Sequence, residues 1–348
     1  MTFVTTHERP GVYSVYEAAA AVTASSRSGT AAIAAQSAGG TAGTLYTLTS
    51  YSQAAAAFGK EDPMTQLVKV LLANGAAKVL AVPVAGEGDY AAAFLLLNSQ
   101  EDVKTVVCDS TTLTVQQALR DSVEEVSQLR RERIAVVGAP GEETAEALVA
   151  RAKALASPRV VLVAPAAAGE DVPGALTAAA VAGAICGEGD PALPLGGAVL
   201  QGLSGLTASY SEAELDALIQ GGVTPVEAAG GRISVVRGVT TRTETGGAAD
   251  NTWRDLSTIL VVDYVVPGVR QALQTRFTRT KNTPQVQGAI RSQVILELER
   301  YKAAEIITDY GEVTAQALEE DPSVCLVTFA FTVAHGLNQI WLSAQITV

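Results

Sequence analysis

His7 and His335 lie near opposite ends of the 348-residue chain, and they are its only histidines. An acid–base pair needs its members within hydrogen-bond reach. One lies in an arm-like N-terminal stretch and the other at an expected hairpin turn, so both read as turn or surface residues. Ser204 sits in GLSGL, where the second glycine comes one residue too soon for the GxSxG nucleophile elbow. No HExxH, DxDxDG or GxxxxGK[ST] pattern occurs. Cys108, Cys186 and Cys325 are too few and too scattered for a disulfide framework, and no CxxC pair is present to hold a metal. The stretch VVGAPGEE, residues 136–143, has the order strand, Gly-Pro turn, helix that can bind an anion at a helix N-terminus. Glu142 and Glu143 are expected in that first helical turn, where they satisfy the helix dipole and repel phosphate. The GEGD motifs at 86–89 and 187–190 each supply two carboxylates, too few for a calcium cage, and read as turns. The expectation is a chain with no catalytic residue, no metal site and no cofactor, and hence not an enzyme.

The bulk composition fits that reading. Hydrophobic residues make up 48% of the chain and aromatic residues only 5%, so Ala, Val, Leu and Gly must build the core through close approach of helices and sheets. The length allows two or three domains. A net charge of −12 opposes broad nucleic-acid binding, because phosphates repel an acidic surface. MTFVTTHERPGV lacks an apolar signal region, and no run reaches the roughly 18 uninterrupted apolar residues of a membrane span. Synthesis and assembly in cytoplasm, without membrane insertion, are expected. Any exit would take a route other than a signal peptide.

The elements alternate from Gly29 onward. GTAAIAA, KVLAVPV, VKTVVCD, ERIAVVGAP and PRVVLVAP read as strands. Between them DPMTQLVKVLLANG, LTVQQALRDSVEEVSQL and ETAEALVARAKALA read as helices, the first with Asp62 as N-cap, Pro63 in the first turn and Gly75 past the end. This alternation predicts a parallel sheet covered by helices on both faces. The regularity breaks at GEGDPALPLGG. SEAELDALIQGG then predicts a capped helix at Ser211, and the Gly-rich, polar stretch near 246–251 predicts a domain boundary. Beyond it a long helix kinked at Pro267, a second helix over TPQVQGAIRSQVILELERYKAA, and a hairpin joining SVCLVTFAFTVAHG to the terminal strand are expected.

Two features remain after this survey. Between Val269 and Lys302, Arg270, Arg276, Arg279, Lys281, Arg291, Arg300 and Lys302 face only Glu297 and Glu299, a local excess of five positive charges in an acidic chain. It reads either as an ordinary solvated helix face or as a surface for an acidic protein partner. The chain also ends in GLNQIWLSAQITV, which alternates apolar and polar residues to its last position. Ile340, Leu342, Ile346 and Val348 would share one face of a strand that has no local sheet to join. Near the other end, Val12, Tyr13, Val15 and Tyr16 form a second short strand candidate after the Pro10-Gly11 turn.

The order of features resembles the contractile tail sheath proteins of phages and phage-derived injection machines. The resemblance rests on RPGVYSVYE, GTAAIAAQSAG, LYTLTSYSQAAAAFG, ANGAAKVLAVPV, VAGAICGEGDPALPLGGAVLQGLSGL, ELDALIQGGVTPVEAAGGRISVVRGVTTRT and WRDLSTILVVDYV, and on the terminal strand. It implies a subunit that stacks in helical rings around a tail tube and contracts to drive the tube through a target envelope. Its partners would be copies of itself, the tube protein, and baseplate and terminator proteins. Its place would be the tail of a virion or tailocin assembled in a bacterial host. The implied division is an N-terminal arm at 1–20, an α/β body at 21–248, a tube-facing α+β domain at 249–335 and a C-terminal arm at 336–348. The two arms would add strands to neighbouring subunits, and Arg270, Arg276, Arg279, Lys281 and Arg291 would face the tube. The implied fold class is α/β, a central parallel-type sheet with helices on both faces, plus the α+β domain and the extended strand arms. A nucleotide-binding α/β enzyme and an unrelated ring-forming scaffold remain as alternatives.

Overall fold

Short runs of Val, Ala and Ile become strands and the longer periodic stretches become helices. The computed structural model describes residues 29–169, 171–339, 342 and 343. In chain order these form β1 (Thr30–Gln36), β2 (Tyr46–Leu48), α1 (Tyr51–Phe58), α2 (Pro63–Ala73), β3 (Lys78–Val84), α3 (Tyr90–Asn98), β4 (Val103–Cys108), α4 (Leu113–Gln128) and β5 (Ile134–Gly138). Next come α5 (Ala145–Leu155), β6 (Val160–Ala164), α6 (Pro173–Gly187), β7 (Val199–Leu200), α7 (Glu212–Gln220), β8 (Val223–Ala229) and β9 (Arg232–Val235). The remainder holds β10 (Glu244–Thr245), β11 (Ala248–Ala249), α8 (Asn251–Arg254), α9 (Leu256–Arg276), α10 (Pro284–Ala303), β12 (Ile307–Tyr310), β13 (Thr314–Ala317), β14 (Cys325–Thr328) and β15 (Phe331–Val333).

The first nine strands make one sheet in the order β2-β3-β1-β4-β5-β6-β8-β9-β7. The run from β3 to β8 is parallel, and β2, β9 and β7 pair antiparallel at its margins. Alternation along each strand splits the side chains between two cores. Ile33, Val79, Val107, Val136 and Val161 face α1, α2 and α6. Ala32, Leu80, Val106, Ala135 and Leu162 face α3, α4, α5 and α7. The mixed α/β architecture expected from the alternating elements is therefore present.

Local chemistry sets the helix ends. Asp62 accepts from Met64 N at 2.9 Å to cap α2, and Pro63 stands at the first helical position. Ser211 and Glu214 close a reciprocal capping box on α7. Helix α5 departs from the expectation: Thr144 is its N-cap, so Glu142 and Glu143 precede the helix and Glu146 alone is the acid in its first turn.

Helices α3, α6 and α10 lack the amphipathic period that marks α4. In α6 nearly every residue from Gly174 to Cys186 is buried, so it has no polar stripe to show in the sequence. It fits because its residues are small. A Cβ at Gly183 would lie 2.7 Å from Leu71 O of α2, and a Cβ at Gly138 would lie 2.0 Å from the Gly174 carbonyl oxygen. The glycine of VVGAPGEE thus serves close packing of β5 against the start of α6.

A third core joins Val261, Val265 and Val269 of α9 to Val294 and Leu298 of α10, and to Ile306, Ile307 and Val313. The C-terminal strands find partners upstream that the sequence reading did not name. SVCLVTFAFTV folds back on the preceding strands, β14 on β13 and β15 on β12, as an interrupted two-stranded ribbon, and the terminal strand of the expected hairpin lies almost wholly outside the described residues. The reason is local: the turn around Asp321-Pro322 brings nearby strands together with little loop-closure cost.

Replacing Gly138 by Val should lower unfolding stability by about 3 kcal/mol or more, because backbone stands where the side chain would go. Gly288 lies within α10 with open space at its Cβ position. Gly288→Ala should instead add about 0.5–1 kcal/mol. Urea denaturation followed by circular dichroism measures both.

Candidate assembly surface

Helix α9 has the length and hydropathy of a membrane span, yet its charged residues tie it to the sheet. Asp263 is the only charge between Leu256 and Val269, and Arg270 follows two turns later on the helix. Arg159 grips Asp263 with two hydrogen bonds, Nη1 to Oδ2 at 2.7 Å and Nη2 to Oδ1 at 2.8 Å. Arg270 Nη2 donates to Glu132 Oε1 at 2.7 Å. The Arg159 and Asp263 side chains are only 15% and 13% exposed, so each charge depends on the other for solvation. Burial pushes the Asp263 carboxyl above the usual carboxylate range, against the opposing pull of Arg159. Burial also raises Glu132, but the Arg270 hydrogen bond and nearby positive charge bring it below its ordinary value. Together with Leu256 and Ile259, which enter the first sheet core, these contacts fasten α9 to the body.

The ribbon beyond α10 is incompletely covered. Val327, Phe329, Phe331 and Val333 turn toward the third core yet remain only half-buried. Each of β12, β13, β14 and β15 has one paired neighbour among the described residues, which leaves one edge of every strand open. A two-stranded ribbon with apolar residues on one face and free edges is the geometry that accepts a further strand. After β15 the chain runs past Pro194, packed so closely that a Cβ at Gly336 would lie 2.7 Å from that ring. Leu342 is 93% exposed. Ile340, Ile346 and Val348, and Val12, Tyr13, Val15 and Tyr16 at the other end, lie outside the described residues.

The five basic residues singled out from the sequence do not form one face. Arg270 is bound to Glu132, Arg276 donates to Gln293 Oε1, and Arg291 Nε donates to Val313 O at 2.8 Å. Arg300 and Lys302 pair with Glu297 and Asp309, at 3.1 and 2.9 Å. Arg279 and Lys281 project from the α9–α10 turn, exposed and without a side-chain partner among the described residues. Asn282 ties that turn to the next one through bonds to Pro322 O at 2.8 Å and Val324 O at 3.1 Å. Sequence reading missed the Arg159–Asp263 and Arg270–Glu132 contacts, although a lone aspartate in an apolar helix was the signal available.

The crevice where an open α/β sheet holds nucleotides lies where successive crossovers diverge, here between the C-terminal ends of β1 and β4. The chain's own groups occupy it. Tyr90 donates its hydroxyl to Asp109, and Gln36 N donates to Asp109 Oδ2 at 2.9 Å. Burial raises both the Tyr90 phenol and the Asp109 carboxyl above their ordinary values. A carboxyl group there opposes phosphate. At VVGAPGEE, Glu143 is held by Arg151, whose Nε donates to it at 2.9 Å. Ser204 donates to Ala168 O at 3.1 Å, His335 is exposed, and His7 lies outside the described residues. Among the described residues no group of three or more His, Cys, Asp and Glu is placed to hold a metal.

The phage tail sheath protein central-domain model matches residues 84–241, and the phage tail sheath C-terminal-domain model matches residues 248–347. The chain belongs to the phage tail sheath protein family. It is a structural sheath subunit. A chain in the cryo-EM structure of the anti-feeding prophage baseplate, 6-fold symmetrised, superimposes with a TM-score of 0.74 at 16% identity, over 98% of this subunit and 100% of that chain. The helical sheath of the same prophage in its contracted state gives 0.73 at 16%, over 99% of each chain. The crystallised sheath tail protein of Desulfitobacterium hafniense gives 0.70 at 12%, over 93% of this subunit and 100% of that protein. At these identities the likeness is one of fold. No curated protein sequence matches the subunit.

Arg159→Ala should destabilise the subunit by about 3–5 kcal/mol, because Asp263 stays buried without compensation. The double variant Arg159→Ala with Asp263→Ala should recover part of that loss. A double-mutant cycle from urea unfolding measures the coupling.

Proposed function

We propose that this subunit polymerises into a helical sheath of stacked rings around a tail tube and contracts to drive the tube through a target cell envelope. The observation that carries the proposal is the open-edged ribbon, whose half-buried Phe329 and Phe331 lack a covering strand among the described residues. A strand from each arm of neighbouring copies completes it: Val12, Tyr13, Val15 and Tyr16 from one, Ile340, Leu342, Ile346 and Val348 from another. Backbone hydrogen bonds give such additions affinity, and alternate side chains give them register. The subunit then divides into an arm at 1–20, a body at 21–248, a tube-facing domain at 249–335 and a second arm at 336–348.

The work is mechanical. An extended lattice stores energy at assembly and relaxes to a contracted one that buries more surface, while the arms keep neighbours joined. No residue acts as a catalyst, and the filled crevice at Asp109 supports this over a nucleotide-binding enzyme. Baseplate and terminator proteins cap the assembly, which forms in the cytoplasm of a bacterial host and remains in the tail of the particle. Arg276, Arg279 and Lys281 at the α9–α10 turn contact an acidic tube surface, whereas Arg270 and Arg291 hold the subunit's own structure. Exposed ion pairs of about 0.2–1 kcal/mol each suit a contact that must release, and many copies make it sufficient.

Removing residues 1–20, or those after Gly336, should leave a subunit with nearly unchanged circular dichroism but no long sheaths in electron micrographs. Loss of the whole fold on either deletion would count against the arm assignment. Changing Arg276, Arg279 and Lys281 together to Glu should block assembly of extended sheath on tubes while contracted sheath still forms without tube, and high salt should partly imitate the variant. Normal assembly of that variant on tubes at all salt concentrations would place the tube contact elsewhere.

A further inference from the structure

Charge is absent from three long stretches of this chain. No Asp, Glu, Lys or Arg occurs between Arg27 and Lys60, between Asp190 and Glu212, or after Asp321. With 17% of the chain charged, a stretch the length of the first would carry about five such residues. The last stretch holds β14 and β15 of the ribbon. The other two hold the terminal strands of the nine-stranded sheet, β2 in the first and β7 in the second.

The β2 end is a surface without charge. Burial accounts for the missing charges in β1, but from Gln36 to Gly59 most residues are exposed. Helix α1 flanks this end on one face of the sheet, where Ala54 and Phe58 share a core with Leu48. Helix α3 flanks it on the other, where Phe94 and Leu96 share a core with Leu45. Neither helix contains a charged residue. Tyr51 of α1 is 40% exposed, with the Lys69 ammonium 5.8 Å from its ring centre, and Leu95 of α3 is 72% exposed. Strand β2 has only three residues, which blunts it as a template for strand addition. A partner therefore meets this end through side chains.

The missing charge also selects the partner. A strongly charged partner would be matched by residues of opposite sign, and α1, β2 and α3 offer none. Copies of a subunit with a net charge of −12 repel one another, so they approach at least cost where charge is absent. The centres of protein interfaces are depleted of charge in the same way. In a helical array each contact joins two different surfaces of the subunit. The β7 end supplies the second surface. Val199 is 40% exposed there, and with Leu203 and Ile233 it borders a crevice of about 720 Å³ in which Arg232 is the only charged lining residue. We propose that the β2 end of one subunit docks on the β7 end of the next, with Tyr51 and Leu95 as its apolar anchors. This contact is separate from the strand arms. It rests on the assembly of copies into a sheath, and not on contraction or on a tube.

Crosslinking between copies tests the contact. Full-length subunits carrying Thr47→Cys are mixed with heavy-nitrogen-labelled subunits carrying Val199→Cys, both in a Cys325→Ser background, and treated with a short bismaleimide. Mass spectrometry should find links from position 47 of one copy to position 199 of another at least tenfold above links between like positions. Links between like positions in equal amount overturn the proposal, and so does the absence of links. In the parent sequence, Ala56→Glu with Leu95→Glu should weaken self-association at least tenfold in sedimentation velocity while circular dichroism stays unchanged. Unaltered association of the folded variant rejects the contact, and if the variant is unfolded the crosslink alone decides. Sheaths in electron micrographs of the mixed subunits without the 47–199 link reject this contact and leave the sheath reading intact. The link in oligomers that never become sheaths does the reverse.

Discussion

The Arg159–Asp263 contact sets the relation between the two parts of this molecule. A buried carboxylate on an otherwise apolar helix is unfavourable unless a cation reaches it, and the cation comes from the turn before β6, in the middle of the sheet. That requirement seats α9 in one place against the body. Leu256 and Ile259 then extend the sheet's own core, while Val261, Val265 and Val269 begin the next. A helix shared between two cores carries α10 and the ribbon with it, so the open strand edges take a defined position on the body. The second contact, Arg270 to Glu132, lies farther along the same helix and resists rotation about the first.

The other governing condition is a shortage of cover. Small residues let α6 lie against the sheet and α2 almost backbone to backbone, and this central region is closed. The ribbon has the opposite character, with aromatic and branched side chains left half-exposed and, among the described residues, four strand edges unpaired. A ribbon left open in this way among the described residues supports the proposed addition of strands from neighbouring copies. The same logic explains the filled crevice at Asp109. A sheet of this topology offers a ligand site by default, and here Tyr90 and Gln36 close it with the chain's own hydrogen bonds.

Much of the body was legible because its signals are local. Asp62-Pro63 before an apolar period, Ser211 with Glu214, and the strand KVLAVPV each point to one structure without reference to the rest of the chain. Where a helix is apolar on all sides, as α6 is, the period disappears and only the fold reveals it. The upstream pairing of the ribbon was not legible for a related reason. Alternation says that SVCLVTFAFTV is extended, but the same pattern suits any partner strand, and the turn at Asp321-Pro322 gave it the one immediately upstream. The basic segment shows the limit most plainly: of seven cations close in sequence five went to separate partners, and among the described residues only Arg279 and Lys281 remain exposed without one.

The sequence by itself determined that this is an α/β chain with a small-residue core, without a recognisable catalytic or metal motif, and with the order of features of a tail sheath protein. Those properties follow from residue type and short-range spacing, which the chain carries in any conformation. Only the tertiary structure decided that Asp263 belongs to Arg159 and Arg270 to Glu132, and that the ligand crevice is filled by Tyr90 and Asp109. Each of these joins residues far apart in the chain, and the partner of a charge is chosen by the folded path of the backbone, which no local pattern records.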